Sequence, residues 1–187
     1  MDCFGEDMII TISGLAGSGK STAAKLLAKK LDYKHYSIGD MRGEMAKERG
    51  MSLEEFNMLG EKEAFTDKEV DDYLKNVLGK QDNLVIDGRL GFFFIPHSVK
   101  IFLIADLEER ARRVFSHERV DEHFESVEAA KKSLQARERS DTFRYQKYYH
   151  VDWTEPKHFD LIVDTTHIQP EETLEKILTF LKKKGTI

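Results

Sequence analysis

Residues 14–21 constrain the fold of this chain more than any other part of its sequence. They read Gly-Leu-Ala-Gly-Ser-Gly-Lys-Ser and fit the phosphate-binding pattern G-x-x-x-x-G-K-[ST] without a mismatch. The segment follows an apolar run at 8–13 and opens a helical pattern at 21–31. A loop in that position turns backbone N–H groups and the positive end of a helix dipole toward phosphate oxygens. The sequence therefore predicts a triphosphate site on an α/β fold, and disfavours a glycine-rich turn that binds nothing.

The residues predicted to bind ATP are those of the loop and of the first helical turn after it. They are Gly14, Leu15, Ala16, Gly17, Ser18, Gly19, Lys20, Ser21 and Thr22. Lys20 is expected to reach the β- and γ-phosphates, and the Ser21 hydroxyl is expected to ligate Mg²⁺. The predicted cofactor is therefore Mg²⁺, with ATP as the phosphoryl donor.

Apolar runs of strand length alternate with longer amphipathic runs along the chain. Strands are predicted at 8–13, 83–86, 99–104 and 160–163, with a weaker fifth at 35–38. Helices are predicted at 21–31, 41–49, 53–78 with a break near Gly60, 107–117, 126–149 and 170–184. This alternation predicts an α/β fold of three layers, in which helices cover both faces of a parallel five-stranded sheet. We expect residues 1–7 to be a frayed extension and residues 8–187 to form a single domain.

The 187 residues include one cysteine, Cys3, and have a formal net charge of −5. A single cysteine excludes an intramolecular disulfide and indicates a reducing, cytoplasmic setting. No apolar run approaches the ~18 residues of a membrane helix, and the acidic balance argues against non-specific nucleic-acid binding. We expect small-molecule nucleotides as partners, no nucleic acid, no membrane, and a monomeric chain.

The second buried strand ends in Asp87, Gly88 and Arg89. In an open α/β sheet, ligands bind at the carboxyl ends of the strands, so these residues should approach the phosphate-binding loop. Asp87 could hold the water shell of Mg²⁺, and Arg89 could bind an acceptor phosphate through two parallel hydrogen bonds. The competing interpretation is a strand-end turn with a solvated ion pair, which the nearby phosphate-binding loop disfavours.

These motifs together resemble the cytidylate kinases, in particular the short ones of archaea. The resemblance rests on the phosphate-binding loop, on Asp87-Gly-Arg89 and on the run Ile95-Pro-His-Ser-Val-Lys100-Ile-Phe-Leu. Adenylate kinases typically have Asp-Gly-[Phe/Tyr]-Pro-Arg at this strand end instead. Segments 38–40, 44–50, 140–145 and 162–165 match as well, and the resemblance extends from residue 8 to about 181.

The resemblance implies a P-loop NTPase fold with a helical NMP-binding subdomain at about 40–80 and a helical lid at about 113–148. It implies direct in-line transfer of the γ-phosphate of ATP to CMP and dCMP. Three alternatives remain open: a kinase of AMP or UMP, a kinase of another small metabolite such as shikimate or gluconate, and a non-catalytic ATP-binding regulatory module.

Asp40, Arg42, Asp71 and Arg89 are the candidate residues for binding the acceptor nucleotide. In many nucleoside monophosphate kinases an arginine lies three residues after the aspartate that matches Asp40, and here that position is Gly43. Arg42 could reach the phosphate, although one residue is ~100° of rotation around a helix; alternatively Arg89 is the anchor, or acceptor binding is weak. Asp71 could accept from an exocyclic amine.

Asp67 lies four residues before Asp71 and could accept from the same amine, although for both acids solvation is the favoured interpretation. The histidines at 35, 97, 117 and 123 are expected at the surface or in loops, and Phe92 to Phe94 are expected to pack in the core.

Arg137, Asp141 and Arg144 are spaced i, i+4 and i+7 on a predicted helix, so two guanidinium groups flank a carboxylate on one face. In related kinases the matching lid segment neutralises the transferred phosphoryl group, so the resemblance makes Arg137 and Arg144 catalytic candidates beside Lys20 and Asp87. The alternative is a solvated helix face. Arg139 is expected to be solvated, and Arg113 and Arg119 are weaker candidates.

Overall fold

The computed structural model describes residues 8–116 and 124–187, which contain a five-stranded sheet. The strands are β1 (Ile9–Gly14), β2 (Lys34–Ser37), β3 (Leu84–Asp87), β4 (Val99–Ile104) and β5 (Leu161–Asp164). All four strand pairs are parallel, and the order across the sheet is β2-β3-β1-β4-β5. The predicted parallel sheet is confirmed, including its weaker fifth strand. The extension predicted for residues 1–7, with Cys3, lies outside the described residues.

Eight α-helices lie within the described ranges. They are α1 (Lys20–Leu31), α2 (Ile38–Glu48), α3 (Leu53–Lys62), α4 (Phe65–Asn76), α5 (Gly91–Phe94), α6 (Leu107–Ser116), α7 (Val127–Tyr149) and α8 (Pro170–Lys184). Single 3₁₀ turns occur at Leu78–Lys80 and Pro156–His158. In the part of the chain that the structure describes, no helix combines the length and apolar character needed to cross a membrane.

The sheet is covered on both faces, because successive side chains of a strand point to opposite sides. Ile10 and Ile12 of β1 pack with α1 and α8 in one buried cluster. Ile9 packs on the other side in a second cluster with residues of α2 and α4, including Val70 and Leu74. The three-layer α/β architecture is therefore confirmed.

One helix boundary differs from the predicted one, and one predicted break is found. Helix α2 begins three residues earlier than expected, because the Ser37 hydroxyl accepts from the Asp40 backbone N–H and caps the first turn. The break predicted near Gly60 is confirmed, since α3 ends at Lys62 and α4 begins at Phe65. Gly60 itself lies within α3, where it packs closely against Thr66 and Arg144.

The parallel arrangement brings the ends of β1 and β3 to the same edge of the sheet. Gly14 ends β1 and Asp87 ends β3, and Ile12 pairs with Asp87 in the ladder. The phosphate-binding loop and the second strand end therefore open on one side of the molecule, as expected for a ligand site in an open sheet.

Candidate active site

The loop between β1 and α1 has the backbone that close approach to phosphate requires. Gly17 and Gly19 have φ of +81° and +86°, a left-handed region that favours glycine. A Cβ on Gly14 would lie 2.2 Å from the Leu103 carbonyl oxygen. Helix α1 has no side-chain N-cap and no acidic residue in its first turn, whereas α2, α3 and α7 are capped by serines. The first N–H groups of α1 thus suit an anion.

Ser21 and Asp87 meet beside this loop. The Ser21 hydroxyl donates to Asp87 Oδ2 at 2.7 Å, and the Lys20 ammonium donates to the Leu15 carbonyl at 3.0 Å. Burial raises the pKa of the Asp87 carboxyl, but hydrogen bonds from His35 and Ser21 outweigh it and hold the pKa below its usual value. A hydroxyl and an ionised carboxylate are oxygen ligands of the kind that Mg²⁺ prefers, so these two residues fit the predicted ion.

The prediction of a surface or loop position for His35 is wrong. His35 lies on β2, and its Nε2 is 2.6 Å from Asp87 Oδ1. Ser37 is two residues further along the strand and points to the same side, with its hydroxyl 3.4 Å from Asp87 Oδ2. The period of two along β2 could place His35 and Ser37 on one face, but the contact with Asp87 depends on the pairing of β2 with β3.

A cavity of about 570 Å³ opens on the outer side of the phosphate-binding loop, within the size range of small-molecule sites. It is lined by the loop, by α6 and by the chain between β5 and α8. Arg113 lines it and donates to the Thr165 carbonyl at 2.6 Å and to Glu109 at 2.9 Å. Sequence reasoning ranked Arg113 low and assigned no role to the chain around Thr166, which lines the same cavity.

Near the end of β3, five charged residues form an arginine–aspartate ladder. Arg42 Nη1 and Arg144 Nη1 both donate to Asp67 Oδ1, at 2.7 and 2.5 Å. Arg144 Nη2 donates to Asp141 Oδ1 at 2.5 Å. Arg89 Nε lies 2.6 Å from Asp141 Oδ2. The ladder joins α2, α4, α7 and the end of β3, and three arginines against two aspartates leave one net positive charge.

The ladder is buried, so the solvated interpretations of Asp67 and of the α7 face are wrong. Arg144 is 1% exposed, Asp141 2% and Asp67 4%. Burial alone would lower the pKa of Arg144, but the charges of Tyr145, Asp141 and Asp67 raise it, so the guanidinium stays charged. The structure thus brings two of the predicted lid residues together with two of the predicted acceptor-site arginines.

The two candidate acceptor arginines differ in how many donors they have left. Arg42 also donates to the Thr66 carbonyl and to Asn57 Oδ1, both at 3.1 Å, so both its terminal nitrogens are engaged. Arg89 lies 5.5 Å above the Trp153 ring, and its Nη2 has no hydrogen-bond partner among the described residues. Arg89 therefore retains more capacity to bind an incoming phosphate.

The remaining candidates lie apart from the ladder. Asp71 on α4 is half-buried and accepts from the Tyr149 hydroxyl of α7, so the solvated interpretation favoured for it is wrong. Burial raises the Asp71 pKa to about 7, against the hydrogen bond from Tyr149, which lowers it. Asp40 is exposed in the first turn of α2, and Arg137 is half-buried on α7.

Among the minor predictions, Arg139 is exposed as expected. Of the three phenylalanines expected in the core, Phe92 is buried against Phe159 and Phe94 is half-buried. The core position is wrong for Phe93, which is 40% exposed. The candidates Arg119, His117 and His123 lie outside the described residues.

Gly60 and Gly43 offer a matched test of the packing around the ladder. A Cβ on Gly60 would lie 2.8 Å from Thr66 Oγ1 and 3.2 Å from Arg144 Cδ, whereas no described atom lies within 4 Å of one on Gly43. Gly60→Ala should therefore destabilise the protein by about 1–3 kcal/mol. Gly43→Ala, inside α2, should stabilise it by about 0.5–1 kcal/mol through helix propensity. Urea unfolding of both variants checks this, and equal shifts would contradict the packing argument.

Comparisons with known proteins agree with this geometry. Residues 9–167 match the model of the cytidylate kinase-like family. A cytidylate kinase of Methanobrevibacter smithii is 37% identical over 175 residues, covering 94% of this chain and 99% of that protein. One from Pyrococcus abyssi is 40% identical over 165 residues, covering 88% of each chain.

The fold comparison agrees with the α/β architecture. A shikimate kinase from Bacteroides thetaiotaomicron superposes with a TM-score of 0.65 over 95% of this chain and 99% of its own. The two sequences are only 18% identical, so this likeness concerns the fold alone.

Proposed function

The chain belongs to the cytidylate kinase-like family, and on that premise we propose that it transfers the γ-phosphate of ATP to CMP and dCMP. The observation that most supports this is the end of β3. Asp87 is hydrogen-bonded to Ser21 of the phosphate-binding loop, while Arg89, two residues later, enters the buried ladder. The end of β3 thus connects the proposed ATP site, or donor side, with the proposed CMP site, or acceptor side.

On the donor side, the chain's own residues would bind and orient the triphosphate. The backbone N–H groups around Gly17 and Gly19 would surround the phosphate oxygens, and Lys20 would neutralise charge on the transferring group. Arg113 and the chain around Thr166 would hold the base and ribose in the cavity that they line. The Ser21 hydroxyl and the Asp87 carboxylate would hold Mg²⁺, which when bound neutralises developing phosphate charge.

On the acceptor side, the net positive ladder would hold the phosphate of CMP, with Arg89 as the main partner and Arg42 as a secondary one. Asp40 and Asp71 remain candidates for contacts to the nucleoside. The acceptor oxygen is already ionised, so no general base is required, and in-line positioning with charge neutralisation supplies the acceleration.

We assign the acceptor to a helical NMP-binding subdomain at about 40–80 and the lid to about 113–148. The α7 residues Arg137 and Arg144 would neutralise charge on the phosphoryl group while the lid excludes water. In support, Arg144 is ion-paired to Asp67 of α4, so the two segments are in direct contact.

The test is a coupled assay of ADP formation with a panel of acceptors. We expect kcat/KM for CMP to exceed that for AMP at least ~10-fold, which requires only ~1.4 kcal/mol of differential contact. Equal or faster use of AMP or UMP would overturn the choice of acceptor. Turnover of shikimate or gluconate would indicate a metabolite kinase, and ATP binding without any acceptor would indicate a regulatory module.

A further inference from the structure

One oxygen of Asp67 holds two arginines that come from different parts of the chain. Asp67 Oδ1 accepts from Arg42 of α2 at 2.7 Å and from Arg144 of α7 at 2.5 Å. The carboxylate lies near the start of α4 and is almost fully buried. Asp67 is thus the point at which the acceptor-side helices meet the lid helix.

We propose that Asp67 is a positioning residue for the acceptor nucleotide: it fixes Arg42 and Arg144 within the ladder whose net positive charge and Arg89 Nη2, unpartnered among the described residues, bind the acceptor phosphate. The proposal rests on the function proposed above and deepens it, because it names the residue through which the lid helix contributes to acceptor affinity.

Electrostatic repulsion explains why a carboxylate is needed between the two arginines. Two guanidinium groups that share one oxygen repel each other strongly in a buried site, and only a negative charge between them makes this arrangement favourable. The second terminal nitrogen of each guanidinium is also held, that of Arg42 by Asn57 and that of Arg144 by Asp141. Because both terminal nitrogens are held, the two long side chains are already ordered before the acceptor binds. Acceptor binding then costs less conformational entropy, which favours affinity.

The second carboxylate oxygen of Asp67 also supports a role in function rather than in stability. Asp67 Oδ2 is buried and has no hydrogen-bond partner among the described residues. Gly60 approaches it closely, since a Cβ there would lie 3.5 Å away. A buried oxygen without a partner costs stability, so a carboxylate kept here for stability alone would be poorly explained. An amide would avoid the unpaired charge but would hold the two arginines less well.

Asp67→Asn tests this, with Asp72→Asn as the matched control, since Asp72 is exposed on the same helix. CMP is varied at saturating ATP, and ATP at saturating CMP. We expect Asp67→Asn to raise KM for CMP roughly 10- to 100-fold and to leave KM for ATP within about twofold. Asp72→Asn should leave both values unchanged. A wild type without CMP-dependent ADP formation would refute the proposed function itself, before any variant is compared.

With an active wild type, several results would overturn the role of Asp67. One is a KM for CMP that matches the Asp72→Asn control, and another is an equal rise in both KM values. A fall in kcat with an unchanged KM for CMP would also overturn it, because a residue that positions the acceptor site must change KM for CMP. A change in the ratio of CMP to UMP use would mean that Asp67 reads the base. If Asp67→Asn does not fold, Asp67→Glu, which keeps the charge but moves it, is judged by the same criteria; failure of both to fold would make the residue purely structural.

Discussion

Replacing Lys20 with alanine is expected to lower kcat for phosphoryl transfer by ~10³-fold or more while the protein stays folded. Lys20 is the first residue of α1, and its ammonium group donates to the Leu15 carbonyl within the phosphate-binding loop. In the proposed mechanism it carries the positive charge that meets the transferring phosphate. Steady-state kinetics with ATP and CMP measure the loss, and thermal unfolding confirms the fold.

Lys25→Ala is the matched control, since Lys25 is an exposed lysine on the same helix. It should keep activity within about twofold, because an exposed charge outside the site contributes little. Activity of folded Lys20→Ala within a few-fold of the wild type would refute the assignment of the phosphate-binding loop as the catalytic donor site.

Replacing Arg89 with alanine is expected to lower kcat/KM for CMP by roughly 30- to 1000-fold, equivalent to about 2–4 kcal/mol. Arg89 is ion-paired to Asp141 yet keeps a terminal nitrogen without a partner among the described residues. Arg42→Ala should cost visibly less, because both terminal nitrogens of Arg42 already bind Asp67, Thr66 and Asn57. The effect of Arg89→Ala on ATP binding alone should be small.

Both variants disturb a buried ion pair, so their kinetics are compared at a temperature where each is shown to be folded. Arg139→Ala, at an exposed arginine of α7, serves as the control and should behave like the wild type. A larger loss at Arg42 than at Arg89 would show that the acceptor arginine has only moved by one position relative to Gly43, and that Arg89 is not the main anchor.

Several expectations stay predictions. The monomeric state, the cytoplasmic location and the roles of the individual site residues each require a measurement of their own. The roles of Asp40 and Asp71 are predicted from resemblance and spacing, and the Asp71 carboxylate accepts from the Tyr149 hydroxyl.

The sequence by itself determined the fold class and the position of the loop that is predicted to bind the donor. The phosphate-binding loop is local, since its glycines, Lys20 and Ser21 are consecutive and their backbone conformation depends on near neighbours. The parallel sheet followed from alternating strand and helix patterns, which depend on hydrophobic period rather than on particular partners. The end of β3 could also be placed beside the phosphate-binding loop from the sequence, because the carboxyl ends of parallel strands lie at the same edge of a sheet.

Only the tertiary structure decided which charged residues are buried and what they contact. Asp67 and Arg144 are 77 positions apart, and Asp87 and His35 are 52 apart, so no periodicity within one element connects them. A charged residue on a helix is solvated by default, and it is buried only when other elements supply opposite charges. The same reason explains Gly60. Thr66 and Arg144 pack so closely against it that a side chain would not fit, and α3 continues through this position.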